Sequence, residues 1–85
     1  MLERIWNNII NHEGEEFETA TGLVFTYIIE KEKVIPIREG ERKWPLSKHV
    51  FEKALQFTTY SGSEFSNKII GSAYVRGLLE DRRIK

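Results

Sequence analysis

The chain opens with apolar residues at helical spacing. Five of them follow the i, i+3, i+4, i+7, i+8 pattern of one helix face: Leu2, Ile5, Trp6, Ile9 and Ile10. Gly14 follows, and glycine readily takes the left-handed conformation that stops a helix. The pattern therefore predicts an amphipathic N-terminal helix that ends before Gly14 and buries one apolar stripe.

A two-residue period then replaces the helical one. Along residues 23–30, Phe25, Tyr27 and Ile29 alternate with Val24, Thr26 and Ile28. Both sets contain apolar residues, so we expect both faces of this strand to be at least partly covered. Thr21-Gly22 and the charged run 30–33 are turn signals on either side of it. A third strand, residues 34–37, contains Pro36, which lacks a backbone donor and so predicts an edge strand or a strand end.

The C-terminal half returns to helical patterns. Ser47 is the predicted N-cap of a second helix, with Leu46 and Phe51 as a hydrophobic staple. Residues 59–66 are rich in turn formers, and a last helical region runs from about 67 to 80 with an interruption at Gly71. Ile69 and Ile70 are among its core candidates. The sequence predicts an α+β domain spanning 1–85: an N-terminal helix, a three-stranded antiparallel meander, then two C-terminal helices packed on the sheet.

Composition sets the class of protein. Hydrophobic residues are 40% and charged residues 31% of 85 residues, as in an ordinary globular domain. No apolar run approaches the roughly 20 residues that span a bilayer, so we expect no membrane partner. No cysteine is present, which excludes disulfides and thiolate sites and favours a cytoplasmic protein.

The net charge of zero hides an uneven distribution. Residues 1–41 hold four lysines and arginines against nine glutamates, a net charge of −5. Residues 42–85 hold nine lysines and arginines against four acidic residues, a net charge of +5. This asymmetry has three interpretations: a basic surface for polyanions, two halves that attract each other, or two solvated faces.

Catalytic and metal-binding motifs are scarce. The only histidines, His12 and His49, belong to different predicted elements, and no phosphate-binding glycine loop occurs. We therefore expect no metal, no cofactor, no catalytic residue and no enzymatic activity. One remote alternative is a small metal-dependent nuclease, because Glu41-Arg42-Lys43 has the E-x-K spacing such enzymes use, although it follows a glycine-containing loop rather than a clear strand.

The basic half suggests contacts with DNA or RNA phosphates, since lysine and arginine are the main phosphate-binding side chains. Hydroxyls at residues 58–61 would add donors, and Trp44, Tyr60 and Phe65 would stack on bases if exposed. A tryptophan beside a proline is more often a core residue, so Trp44 is expected in the core. The candidate phosphate-binding side chains are Arg42, Lys43, Lys48, Lys53, Lys68, Arg76, Arg82 and Arg83.

The alternative function is protein–protein interaction or self-association without nucleic acid. Its contact would be an edge strand at residues 34–37 or an exposed aromatic patch. A protein partner or a homodimer is then the expected assembly.

Three motifs together span nearly the whole chain: F-x-T-x-x-G-x-x-F-x-Y from Phe17, F-E-K-A-L from Phe51, and G-S-A-Y-V…L-L-x-D-x-R-I from Gly71. The combination resembles a small, poorly characterised bacterial and phage domain that occurs alone or beside restriction-type and helicase-type enzymes. The resemblance implies a compact accessory domain that works around DNA and supplies no catalytic residues. Its positions with a role beyond packing would be Gly71, Tyr74, Asp81 and Arg83, which otherwise make a turn, pack, and tie down the C-terminus.

Overall fold

A computed structural model describes all residues, 1–85. The α+β class and the antiparallel sheet are confirmed, but there are five strands rather than three, and three helices follow the sheet rather than two. The elements are α1 Leu2–Asn11, β1 Phe17–Glu18, β2 Val24–Glu30, β3 Lys33–Arg38, β4 Glu41–Arg42, β5 Leu46–Ser47, α2 Lys48–Ala54, α3 Ser63–Lys68 and α4 Ser72–Leu79.

Strand β3 lies inside the sheet, and the prediction that Pro36 marks an edge is wrong. β1, β2 and β3 form the expected meander, but β3 also pairs on its other side with β4 and with β5. The Pro36 carbonyl accepts a hydrogen bond from Lys43 N–H at 2.8 Å. The nitrogen and carbonyl of a strand residue point to the same side, so the missing donor faces the gap between β4 and β5. An interior strand tolerates proline there because no ladder bond is lost.

The two extra strands arise from a tight turn in the charged segment. Glu39 and Gly40 both have positive φ, 54° and 78°. This geometry matches the twist of a two-residue hairpin, so Glu41 returns beside Arg38. Beyond the loop at residues 43–45, Leu46 pairs with Val34.

All four helices cover one face of the sheet, which we call the inner face. It carries Phe25, Tyr27 and Val34, each 1% exposed or less, within one cluster of 16 buried residues. The Tyr27 hydroxyl donates to the Ile9 carbonyl at 2.6 Å, joining sheet and α1. Tyr27 can be fully buried, at 0% exposure, because its hydroxyl has this hydrogen-bond partner.

The helical layer differs from the prediction at three points. Residues 63–66, predicted as loop, begin α3, whose Phe65 is 2% exposed and so is not a stacking platform. The predicted interruption at Gly71 is confirmed, with φ of 63°. Ile10 and Ile70 were expected in the core but are 43% and 63% exposed; Ile10 is the penultimate residue of α1, and Ile70 lies in the turn between α3 and α4.

The opposite face of the sheet, which we call the outer face, has no helix on it. Its residues are Val24, Thr26 and Ile28 on β2 with Ile35 and Ile37 on β3. Val24 is 49% exposed, while Ile35 is only 5% exposed. Residues 26, 28 and 37 are half-buried.

A long ion pair explains the burial of Ile35. Arg42 lies beside Ile37 in the register, and its guanidinium reaches Glu30 at 2.7 Å, two strands away. The line between them crosses β3 at Ile35, so the aliphatic part of Arg42 covers this residue. The expectation of partial cover on both faces therefore holds, although side chains rather than a helix provide the cover on the outer face.

Helix α4 lies directly against β1, and Gly77 makes this approach possible. A Cβ at Gly77 would lie 2.6 Å from the Glu18 carbonyl oxygen, a backbone atom that cannot move aside. The same Cβ would lie 3.3 Å from Phe25 Cε1. Nothing in the sequence pattern marks Gly77 in advance, because a glycine within a helical pattern carries no spacing signal.

We predict that Gly77→Ala lowers the free energy of unfolding by about 1–3 kcal/mol, the usual range for overpacking. The clash outweighs the gain of about 1 kcal/mol that alanine normally brings to a helix interior. Urea unfolding measures the change. Gly62→Ala is the matched control, since a Cβ there meets nothing closer than 4.0 Å. Unchanged or increased stability of Gly77→Ala would contradict the close approach.

Candidate functional site

Most of the predicted phosphate-binding side chains are engaged with carboxylates of the same chain. Lys53 and Arg82 form no ion pair. The other six form these pairs: Arg42–Glu30 at 2.7 Å, Lys43–Glu41 at 3.7 Å, Lys48–Glu3 at 2.8 Å, Lys68–Glu64 at 3.2 Å, Arg76–Glu80 at 3.0 Å, and Arg83 with both Glu15 and Asp81 at 3.0 Å.

Four of these pairs join the acidic half of the chain to the basic half: Lys43–Glu41, which are close neighbours in sequence, and three pairs between residues farther apart along the chain. Glu30, Glu3 and Glu15 come from residues 1–41, and their partners come from residues 42–85. Of the three interpretations of the charge asymmetry, attraction between the halves is therefore visible directly in the contacts.

The eight predicted residues do not surround a common cleft. Arg42 and Lys43 line one opening, Arg76 lines a second beside Tyr60, and Arg83 lines a third beside Gly77. The other four line none of these three openings.

Arg83 is the most engaged cation in the chain. Its Nε and Nη2 bind the two Asp81 oxygens at 3.0 Å each, Nη1 binds Glu15 at 3.0 Å, and Nη2 also donates to the Glu16 carbonyl at 2.8 Å. The guanidinium carbon lies 3.8 Å from the centroid of the Phe17 ring. Arginine suits such a position because its planar fork bonds in two directions while its face stacks on an aromatic ring. This network ties the C-terminal turn to β1.

The network shifts the acidity of two carboxyls. Hydrogen bonds from Arg83 hold the pKa of Asp81 below its ordinary value of 3.8. Hydrogen bonds from His12, and then from Arg83, lower the pKa of Glu15 below 4.5. Both carboxylates are therefore preferred in their charged form by the folded chain.

Gly71 and Tyr74, the other two positions singled out by the resemblance to a bacterial and phage domain, have packing contacts. A Cβ on Gly71 would lie 2.8 Å from a methyl group of Leu46, and Gly71 is the left-handed residue that starts α4. The ring of Tyr74 meets that of Phe25 edge-on at 5.0 Å. With the Asp81–Arg83 pair, all four positions have structural contacts.

Trp44 is the largest exposed apolar side chain, at 78%, and the expectation that it lies in the core is wrong. Leu46, at 0% exposure, fills the core at this point instead. The loop carrying Trp44 is fastened on one side by the Lys43 N–H bond to Pro36 and on the other by β5. Trp44 borders an open cleft of about 350 Å³ with Arg42 and Lys43.

Strand β3 is closed to an added strand on both sides, and so is the part of β2 that extends beyond β1. β4 and β5 occupy one side of β3. On the other side, beyond β1, the Glu13 carboxylate accepts the Ile29 N–H at 2.7 Å and Gly14 N–H donates to the Tyr27 carbonyl at 3.0 Å. A carboxylate that takes the place of a strand blocks edge-to-edge pairing. The expected contact through residues 34–37 as an edge is thus wrong, and a partner would meet side chains.

The residues needed for a metal-dependent nuclease do not gather around Glu41. Its carboxylate lies 3.7 Å from Lys43 Nζ, and no group of three or more histidine, aspartate or glutamate side chains is placed to hold a metal ion. None of the helices has the length and apolar character needed to cross a membrane.

Arg4 is a cation that sequence reasoning missed. It lies among glutamates along the chain, and the helical pattern alone shows only that it is on the wet side of α1. The structure places it in one cleft with Lys85 and with the hydroxyl-bearing residues 58–60. Only the docking of the C-terminal turn on α1 brings these residues together.

Comparisons with known proteins found no match: no protein-family model, no curated protein and no solved structure resembles the chain at a significant level.

We predict that Arg83→Gln destabilises the fold by about 1–2 kcal/mol at neutral pH, through lost charged hydrogen bonds and the lost contact with Phe17. Asp81 and Glu15 have lower pKa values in the folded chain than their ordinary values of 3.8 and 4.5. Their contribution to stability is therefore fully present above those ordinary pKa values, and it is lost as the pH falls through the pKa values of the folded chain. The difference between wild type and variant should shrink in acid. Urea unfolding at neutral pH and at about pH 3 measures it.

Arg82→Gln is the neighbouring control, because Arg82 has no ion pair, and it should change stability by under about 0.5 kcal/mol at either pH. A pH-independent effect of Arg83→Gln would contradict the charge network.

Proposed function

We propose that this chain is a non-enzymatic interaction domain that self-associates, two copies packing through the outer face of the sheet with Trp44 as anchor. The observation that carries the proposal is the outward position of Trp44, 78% exposed on a loop fastened at both ends.

Trp44 has the properties of an interface anchor. Tryptophan and arginine are enriched among the residues that dominate binding energy, and Trp44 lies beside Arg42. Because β5 and the Lys43 N–H bond to the Pro36 carbonyl hold the loop of Trp44 in place, association would cost little loop entropy. In water, by contrast, so large an apolar surface is unfavourable.

The outer face supplies the apolar surface of the proposed interface. Val24, Ile28 and Ile37 present aliphatic groups in adjacent rows, and charged residues flank them. An apolar centre with a polar rim is typical of protein interfaces. Strand β3 is interior, so the partner packs on the outer face rather than pairing with residues 34–37.

A second copy is the occupant that the charges favour. The rim contains both signs, Glu30 and Lys33 on one hairpin and Arg42 beside them, and the net charge of the chain is zero. Two copies therefore approach without net repulsion, and a two-fold arrangement places opposite charges of the rim in reach of each other.

Nucleic-acid binding through the basic C-terminal half is the second candidate. Lys53 and Arg82 favour it, because they are exposed and free of ion pairs. The six engaged cations form pairs at the surface, worth about 0–1 kcal/mol each, so phosphates of DNA or RNA would compete with the carboxylates at low salt. Fluorescence anisotropy with DNA and RNA oligonucleotides tests this candidate: binding must fall steeply with salt and be lost in the Lys53→Glu, Arg82→Glu double variant.

For self-association we predict a mass that rises from one chain to two with concentration and depends little on salt. Trp44→Ala should weaken the dimer by about 2 kcal/mol or more, roughly thirtyfold in the dissociation constant. Val24→Lys should do the same by placing a charge on the outer face. Sedimentation velocity measures the mass, and tryptophan fluorescence reports the burial of Trp44.

Ile70→Ala is the matched control, since Ile70 is also exposed and apolar, at 63%, but belongs to the helical layer. It should leave the dimer unchanged. A chain that stays monomeric into the millimolar range, or a dimer that Trp44→Ala does not weaken, would overturn the proposal.

A further inference from the structure

A cleft of about 370 Å³ lies in the helical layer, away from the outer face. Its polar lining includes Arg4, Lys85, Thr58 and Tyr60, and its apolar lining includes Leu55 and Leu79. The volume falls in the range of small-molecule sites, which combine apolar walls with a few polar groups.

The relative position of Arg4 and Lys85 follows from a contact between α1 and the C-terminal turn. Asn8 Nδ2 donates to the Ile84 carbonyl at 2.8 Å. Arg4 is one helical turn before Asn8 and therefore on the same face of α1. Ile84 is 0% exposed, so this turn is fixed in place and Lys85 follows it at the rim of the cleft.

Both cations are free of carboxylate partners, unlike most lysines and arginines of this chain. Neither Arg4 nor Lys85 belongs to any of the ion pairs. The lining contains one acid, Glu80, which forms an ion pair with Arg76 at 3.0 Å. Side chains alone thus give the cleft an excess of positive charge.

Two hydroxyls of the lining are also available. Thr59 uses its hydroxyl within its own turn, with Ser61. Thr58 and Tyr60 form no such bond. Burial, and then Glu80, raise the pKa of Tyr60, so its hydroxyl keeps its proton at neutral pH and is a donor.

We propose that this cleft binds a nucleotide, with its phosphate group on Arg4 and Lys85 and its base against Leu55, Leu79 and Tyr60. Free cations with hydroxyl donors are the usual phosphate-binding groups, and an aromatic ring with aliphatic neighbours suits a base. The nucleotide is either free or one unit of a single strand, since the chemistry at the cleft is shared. The proposal does not depend on self-association.

The test is an amide ¹H–¹⁵N NMR titration of the full chain with three probes: inorganic phosphate, adenosine monophosphate and a short single-stranded oligonucleotide. We expect the last two to shift the amides of residues 4–5, 58–60 and 85. The Arg4→Gln, Lys85→Gln double variant should weaken binding at least tenfold while leaving the rest of the spectrum unchanged. Acids and amides are tolerated in the first turn of a helix, so Arg4→Gln does not threaten α1.

Lys31→Gln with Lys33→Gln is the charge-matched control, because both are exposed cations without ion pairs on the β2–β3 hairpin. It should not change binding. Tighter binding of the oligonucleotide than of the mononucleotide assigns the site to a strand, and equal binding assigns it to a free nucleotide. Inorganic phosphate binding as tightly as the nucleotides, shifts confined to other residues, or an unaffected double variant would each overturn the proposal. Trp44→Ala should bind the probes normally, which separates this site from the self-association surface.

Discussion

The architecture depends on one constraint: a small sheet with helices on a single face. Eighty-five residues supply four short helices, and all four contribute to the one buried cluster that contains Phe25, Tyr27 and Val34 of the inner face. None is left for the other side. The outer face is therefore covered only by side chains, above all by Arg42 reaching across β3 to Glu30. The chain is too short to supply helices for both faces of the sheet. One face therefore has a helix layer, and the other is an open aliphatic face.

Charge has a folding role in this chain before any binding role. The acidic and basic halves meet in four ion pairs, and the pair at Arg83 fastens the C-terminal turn to β1 beside Phe17. The same turn is fixed to α1 through Asn8. Exposed pairs contribute little singly, but Arg83 combines two carboxylates, a backbone carbonyl and an aromatic face in one position. Six of the thirteen lysines and arginines remain without an ion pair, and their positions decide where an anion can bind.

Two surfaces with different chemistry result, one on each layer. The outer face carries aliphatic side chains flanked by charges of both signs, which suits a second copy of the chain. The cleft in the helical layer has free cations and hydroxyls, which suit a phosphate group. Because they belong to opposite layers of the domain, occupation of one leaves the other accessible, and substitutions such as Trp44→Ala and Arg4→Gln separate their contributions.

The sequence by itself determined the α+β class, the N-terminal helix, the β1–β2–β3 meander, the start of α2 after Ser47, and the break at Gly71. These features rest on local periodicity and local backbone preference, which are written in neighbouring residues. Only the tertiary structure decided that Pro36 is interior, that Trp44 points outward, that Gly77 touches β1, and that Arg83 is engaged while Arg4 is free. Each of these depends on which distant segment lies opposite the residue, and spacing along the chain carries no record of that partner.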